Sequence, residues 1–289
     1  MATDIPSPYD LVPGSVVHGR YRIVEPNRQG GLSTAFRAMD DAGEEEVELQ
    51  FFPSSLFEDE GQARTFASSW EGWKRISSAS VAGVHDVVVL GGTHLMLVSE
   101  LPIGQSLRKR IDETQRLEPQ VVLAIGKQLC DGLREIHAHG VIHGDIKPHT
   151  IHLDGESADA RAQLVDGGVT PGLWSAKDLG DKTALIGTPY YAPVEQFGGE
   201  SPDVLSDIYN VATVLFELST GCLPWPGKSF LEVFQAKLDR EAPSMRDRAP
   251  DVEVPRDLEE AIVGGLMADR NQRYSTAQRF VEALDAVEL

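Results

Sequence analysis

The chain has 289 residues, 41% of them hydrophobic, and a formal net charge of -19. It is too apolar for a disordered chain and long enough for a two-lobed one, and its negative field works against nucleic acid and anionic lipid, so neither is an expected partner. Two cysteines argue against a disulfide scaffold and fit a reducing cytosol. No run approaches the ~18 uninterrupted apolar residues of a membrane span, and the residues after Met1 carry no basic-then-apolar leader, so neither membrane contact nor a secretion signal is expected.

The first part of the chain reads as strands. Tyr21–Asn27, Ser33–Met39 and Val47–Phe52 are short, apolar and punctuated by Gly, Pro or Asp, and the acidic run Asp40–Glu46 suits a hairpin loop. Phe57–Ile76 reads as a helix carrying Trp70 and Trp73 three residues apart, as core or as an aromatic partner surface. Val84–Leu90 and Thr93–Ser99 return to strand character around Gly91 and Gly92. The later part is helical. Pro119 can open a helix in which Val122, Ile125, Leu129, Leu133 and Ile136 recur at spacings of three and four until Gly140. Val204–Thr220 repeats the pattern and closes at Gly221, and Leu258–Met267 and Thr276–Val287 are two further helices. A small sheet lobe followed by a large helical lobe is an α+β arrangement, with the boundary and a ligand cleft near Glu100–Gln105.

The motif-bearing segments follow in order. Val141-Ile142-His143-Gly144-Asp145-Ile146-Lys147-Pro148-His149-Thr150-Ile151 resembles the protein-kinase catalytic loop, H-R-D-L-K-P-x-N-I. Asp166-Gly167-Gly168 resembles D-F-G, and Gly187-Thr188-Pro189-Tyr190-Tyr191-Ala192-Pro193-Val194-Glu195 resembles the segment ending in A-P-E. Asp207-Ile208-Tyr209 and Asp269-Arg270-Asn271-Gln272-Arg273-Tyr274 resemble two large-lobe motifs of the same family. Together with Gly19-Arg20-Tyr21-Arg22-Ile23, the chain is similar to bacterial Hanks-type serine/threonine kinases from about Gly19 to Leu284. The resemblance implies a bilobal kinase fold: an extension over 1–18, a small antiparallel-sheet lobe with one main helix over 19–100, and a helical lobe over 101–289.

It also implies roles for residues. Asp145 matches the acceptor of the substrate hydroxyl proton, Lys147 the lysine that steadies the γ-phosphate, and Asp166 the magnesium ligand. His143, Thr188, Glu195, Asp207 and Arg273 match fold-holding positions, with Glu195 pairing Arg273 and Asp207 bracing the catalytic loop. Other positions depart from the family pattern. Gln50 stands where the ATP-binding lysine belongs, and a neutral amide there would forgo ~3–4 kcal/mol, a factor on the order of 10²–10³. Counting back from Val84 places Ser69 where the lysine's glutamate partner belongs, and Glu71 is two residues out of register. The phosphate loop G-x-G-x-x-G becomes Arg28-Gln29-Gly30-Gly31-Leu32-Ser33, leaving Gly30 in register and Gly31 beside it as nucleotide-binding candidates with Gln50 and Asp166. Thr150 replaces the asparagine for a second magnesium, where its hydroxyl can ligate with altered geometry. Gly144 replaces an arginine that reads phosphorylation, and Gly167 removes an apolar plug and loosens Asp166.

These replacements predict a pseudokinase: a scaffold or regulatory binding module with protein partners, little or no phosphotransfer, and no cofactor. ATP and magnesium enter only under the alternatives. Those are a weak or atypical serine/threonine kinase that uses Arg28 or Lys147 as the missing cation, and a nucleotide sensor without catalysis. The surfaces expected to meet a partner are Trp70–Trp73, Thr170–Gly187 and Trp225–Phe234. The expected location is cytoplasmic, or the cytosolic part of a longer membrane-anchored protein. His137, His139, His143, His149 and His152 are explained by the kinase loop rather than by a metal.

Overall fold

A computed structural model describes residues 8–29, 32–177, 189–239 and 242–289. The small lobe is a six-stranded antiparallel sheet in the order β1-β2-β3-β4-β6-β5. Its strands are β1 (Val16–Val17), β2 (Tyr21–Gln29), β3 (Thr34–Asp40), β4 (Glu45–Phe52), β5 (Val84–Val89) and β6 (Leu95–Glu100). Leu11 and Val17, which precede the expected start at Gly19, are buried in its core. Side chains alternate across a strand, so Val47, Leu49 and Phe51 of β4 enter the small-lobe core while Glu48, Gln50 and Phe52 face the other way. The acidic run turns more tightly than the sequence predicts, because β4 already begins at Glu45.

Arg20 pins this turn by donating to both carboxylate oxygens of Asp40, at 2.7 and 2.6 Å. That pairing, together with the Ala42 backbone N–H, holds the Asp40 carboxyl down to about 2 against the opposing effect of burial. A depressed carboxyl contributes stability that is complete above its unfolded value of 3.8 and is lost as pH falls through about 2. Acid unfolding followed by tryptophan fluorescence should therefore shift to higher pH in Arg20→Met; an unchanged midpoint would mean that the pair contributes nothing.

The helix expected over 57–76 is shorter. α1 (Glu60–Ser68) is capped by Asp59, whose side chain accepts from the Gln62 N–H, and ends where the Ser68 and Ser69 hydroxyls donate back to the carbonyls of Thr65 and Phe66. Turns and a 3₁₀ segment, Trp73–Arg75, follow. Gly72 lets this stretch press on the large lobe, since a Cβ there would lie 2.4 Å from Val141 Cγ1. Trp70 and Trp73 are buried, so they are core and not a partner surface.

The large lobe is built on α3 (Pro119–Ala138) and α6 (Val204–Thr220), both predicted from their periodicity and closed near Gly140 and Gly221 in left-handed conformation. α2 (Leu107–Thr114) begins beside β7 (Gln105–Ser106), which joins β8 (Ile151–Asp154) and β9 (Arg161–Leu164) in a small second sheet. Then come α4 (Val169–Ala176) and α5 (Val194–Phe197), followed after α6 by α7 (Phe230–Asp239), α8 (Met245–Arg248), α9 (Arg256–Gly265) and α10 (Ala277–Asp285). A second, larger apolar core runs from Phe52 and Phe66 through α3 and α6 to Phe280 and Leu284, tying the lobes together.

Candidate active site between the lobes

The catalytic-loop segment hangs from α6. The Asp207 carboxylate, fully buried, accepts the backbone N–H of His143 at 2.9 Å and of Gly144 at 2.8 Å, and the His137 ring nitrogen at 2.9 Å. His143 is itself buried. Its Nε2 lies 3.1 Å from the Val165 carbonyl, which can only accept, so Nε2 carries the proton and Nδ1 receives the Asp145 N–H at 3.4 Å. Burial pushes its pKa down, against the pull of the Asp207, Asp145 and Asp166 carboxylates, and the ring is neutral. Asp145 faces Lys147 at 2.5 Å. The Thr150 hydroxyl receives the Lys147 N–H at 3.1 Å and lies 2.9 Å from the Asp145 carbonyl and 3.2 Å from that of Lys147. It braces the loop through these backbone partners.

Glu195 pairs with Arg273 at 2.7 Å, and Arg270 reaches the same carboxylate at 3.3 Å. Thr188, Gly30 and Gly31, and the part of the Thr170–Gly187 surface from 178 onward, lie outside the described residues.

Gly167 and Gly168 do not leave the cleft unplugged. The Trp73 indole fills the space above them: a Cβ on Gly167 would lie 2.1 Å from Trp73 Cη2, and one on Gly168 2.4 Å from its Nε1. The plug that a phenylalanine would supply at this position comes instead from the small lobe. It belongs to a relay of ring contacts, Phe52 to Phe66 to Trp70 to Trp73 to His143, with centroids 5.2 to 6.3 Å apart. Gly167→Ala should therefore overpack the contact and cost ~1–3 kcal/mol, a fall of several degrees in thermal unfolding. Trp73→Leu should relieve part of that loss in the double variant; additive losses would show that the two residues do not touch.

Gly144 and Ser69 are likewise explained by packing. A Cβ on Gly144, whose φ is +82°, would lie 2.5 Å from Pro171 Cδ of α4, and one on Gly172 of α4 would lie 2.7 Å from Ser69 Oγ. Ser69 thus ends α1 against α4. Glu71 is exposed and pairs with Lys74.

The cation of the cleft is Arg28. Across the sheet Arg28 is paired with Ala35, and Ala35 with Gln50, so the three form one row. From that row the Arg28 guanidinium donates to both oxygens of Asp166, at 2.5 and 2.7 Å, and to both oxygens of Glu48, at 2.8 and 2.5 Å. Glu48 also receives Asn27 Nδ2 at 2.6 Å and is only 1% exposed. Gln50 Nε2 donates to Ser33 Oγ at 2.8 Å and to Asp166 at 3.1 Å. Burial works against the Arg28 charge, but the two carboxylates raise its pKa above the ordinary value; burial likewise opposes the Asp166 charge, and the guanidinium draws that carboxyl below the usual range. Asp166 is held with a φ of +59°, a conformation uncommon outside glycine. The space left among these side chains is about 20 Å³, room for one water and far below the ~300 Å³ or more of a ligand pocket.

Gln50 brings no charge to this row, and Arg28 and Glu48 supply an ion pair there. Sequence reasoning missed Glu48, although it sits two residues before Gln50 on a strand and therefore on the same face. Trp225 is buried as well. Among the described residues no group of His, Cys, Asp and Glu gathers as a metal cluster, and no helix is long and apolar enough to cross a membrane.

A curled antiparallel sheet over a helical lobe, with a polar catalytic loop and Asp166 facing each other in the cleft, is the bilobal α+β protein-kinase fold. A profile of the protein kinase domain matches residues 27–284, and the chain belongs to that family. It is 28% identical over 278 residues to the serine/threonine-protein kinase PknL of Mycobacterium tuberculosis, covering 96% of this chain and 68% of that one. It is 27% identical to the serine/threonine-protein kinase PrkC of Bacillus subtilis (92% and 40%) and 25% identical to a probable serine/threonine-protein kinase PknB of Lactococcus lactis (93% and 42%). These matches overturn the expectation of a scaffold without phosphotransfer: relatives that align over nearly the whole chain are named as serine/threonine kinases.

Proposed function

We propose that the chain is an atypical serine/threonine protein kinase that transfers the γ-phosphoryl group of ATP to a protein hydroxyl, with Arg28 as its phosphate-binding cation. The observation that carries this reading is the Arg28 guanidinium held between buried Glu48 and Asp166. It puts a positive charge, fixed by a carboxylate partner, on the cleft row that holds Gln50. Phosphoryl transfer depends on placing charge and aligning groups more than on covalent help from the protein.

The residues present fit one magnesium ion. Asp166 offers a carboxylate in the cleft, and magnesium is commonly held by one or two carboxylates plus substrate phosphates. When bound, the ion neutralises charge on the phosphate oxygens. Asp166 would hold it, and Arg28 would have to give up the same oxygens, which frees the guanidinium for phosphate while Glu48 keeps it on station. Asp145 takes the proton of the attacking hydroxyl as the new O–P bond forms and ADP leaves. Lys147, beside Asp145, faces the phosphate in flight. Two free thiols and an acidic surface fit work in the cytosol, where ATP and magnesium are supplied.

The test is transfer of γ-labelled phosphate by the purified chain, to itself or to a protein substrate, with magnesium or manganese. Label recovered on serine or threonine and lost in Asp166→Asn supports the proposal. Wild-type protein that transfers no label under either metal, while folded, overturns it.

A further inference from the structure

Lys237 is a buried cation that this reaction does not use. It lies on α7 at 2% exposure, with no carboxylate in ion-pair reach among the described residues. Its Nζ donates to the carbonyls of Ala192 at 2.6 Å, Tyr190 at 3.1 Å and Pro189 at 3.3 Å. The rings of Tyr209, Phe197 and Trp225 surround it at 5.3, 5.5 and 5.6 Å. Burial pushes its pKa down to about 7, with Glu195 opposing. An ammonium has three N–H donors and here meets three acceptors, which, with the ring faces, offset the loss of water. Apolar residues of similar volume often serve stability as well as a buried charge. What an apolar side chain could not do is fix neighbouring carbonyls of a segment that has no regular structure of its own.

That segment lies next to the chemistry. Asn210 Nδ2 donates to the Tyr191 carbonyl at 2.8 Å, one turn along α6 from Asp207, which holds the catalytic loop. The Tyr191 hydroxyl donates to Glu217 at 2.6 Å, and Glu217 receives Arg108 at 2.9 Å. Residues 189–192 and the catalytic loop therefore hang from neighbouring turns of one helix, through Asn210 and Asp207.

We infer that Lys237 is a positioning residue: it holds the main chain of Pro189–Ala192 in the shape that lays the hydroxyl-bearing segment of a protein substrate against Asp145. The inference deepens the kinase reading above and rests on it for the substrate.

Lys237→Met in the full chain keeps the stem among the aromatic rings and removes the donors. Hydrogen exchange at pH 6, where the Lys237 amine is charged, should quicken about tenfold or more for the amides of Tyr190, Tyr191 and Ala192, the scale of losing hydrogen bonds from a charged donor, while α6 and residues 141–147 keep their protection. The KM for a protein substrate should rise about tenfold, with the KM for ATP unchanged. Lys237→Gln, which keeps two donors, should fall between wild type and Lys237→Met. Unchanged exchange at 190–192, or a uniform loss of protection through the large lobe, would overturn the inference. The exchange result is independent of catalysis, so a wild-type chain without transferase activity sinks the kinase reading while the hold on 189–192 is still decided.

Discussion

Replacing Arg28 by methionine is expected to lower kcat/KM for phosphotransfer by a factor on the order of 10²–10³, the size of losing one preorganised charge contact to the transferring group. The reason lies in what each neighbour can do. Gln50 can donate a hydrogen bond but brings no charge, and charge-assisted bonds are roughly twice as strong. Glu48 is buried and bonded by Asn27 and Arg28; without the guanidinium it is left facing Asp166 across the cleft. The sign of the effect matters more than its size. Were Arg28 only a plug in a cleft with about 20 Å³ to spare, methionine, shorter and uncharged, would admit nucleotide more readily and the rate would rise. Steady-state transfer by the two proteins under identical magnesium-ATP separates these outcomes.

The second large effect is expected at Asp145. Asp145→Asn should reduce turnover on the order of 10²–10⁴-fold, the usual range for a positioned acid or base, while leaving nucleotide affinity within a few-fold of wild type. The asparagine retains the size of the aspartate but cannot take the hydroxyl proton. The loop should keep its shape, because that shape is set by Asp207 on His143 and Gly144 and by the Thr150 hydroxyl, none of which depends on the Asp145 carboxylate. Single-turnover transfer with saturating ATP is the check. An undiminished rate would move the proton-accepting role to another group.

The helices that form the frame are legible in the sequence because one local rule fixes each of them. α6 has apolar residues at helical spacing, the Asp203 cap and Gly221 at its end, and its bounds match those expected. α1 is less legible, since serines that could continue a helix end it by bonding backward, and only the contact with α4 explains why. The motif spacing placed Asp145 and Asp166, but their setting depends on partners far away in the chain. Arg28 and Asp166 are 138 residues apart, and no periodicity joins them. The same holds for Trp73 above Gly167. Read alone, Gly144, Gly167 and Ser69 look like lost chemistry. In the fold they are residues small enough to let Pro171, Trp73 and Gly172 approach. Glu48 was within reach of strand alternation, but an expectation fixed on a lysine–glutamate pair does not look for an arginine–glutamate one.

The most direct test is the magnesium-dependent thermal shift produced by ATP in catalytically silent Asp145→Asn protein, with and without Arg28→Met. Ligand at about 100 times its dissociation constant adds ~2.7 kcal/mol, a shift of some degrees for a chain of this size. If Arg28 leaves Asp166 to bind phosphate, the protein with Arg28 shifts only when magnesium and ATP are both present, and Arg28→Met removes most of that shift. A larger shift in Arg28→Met, or the same shift with and without magnesium, would contradict the account.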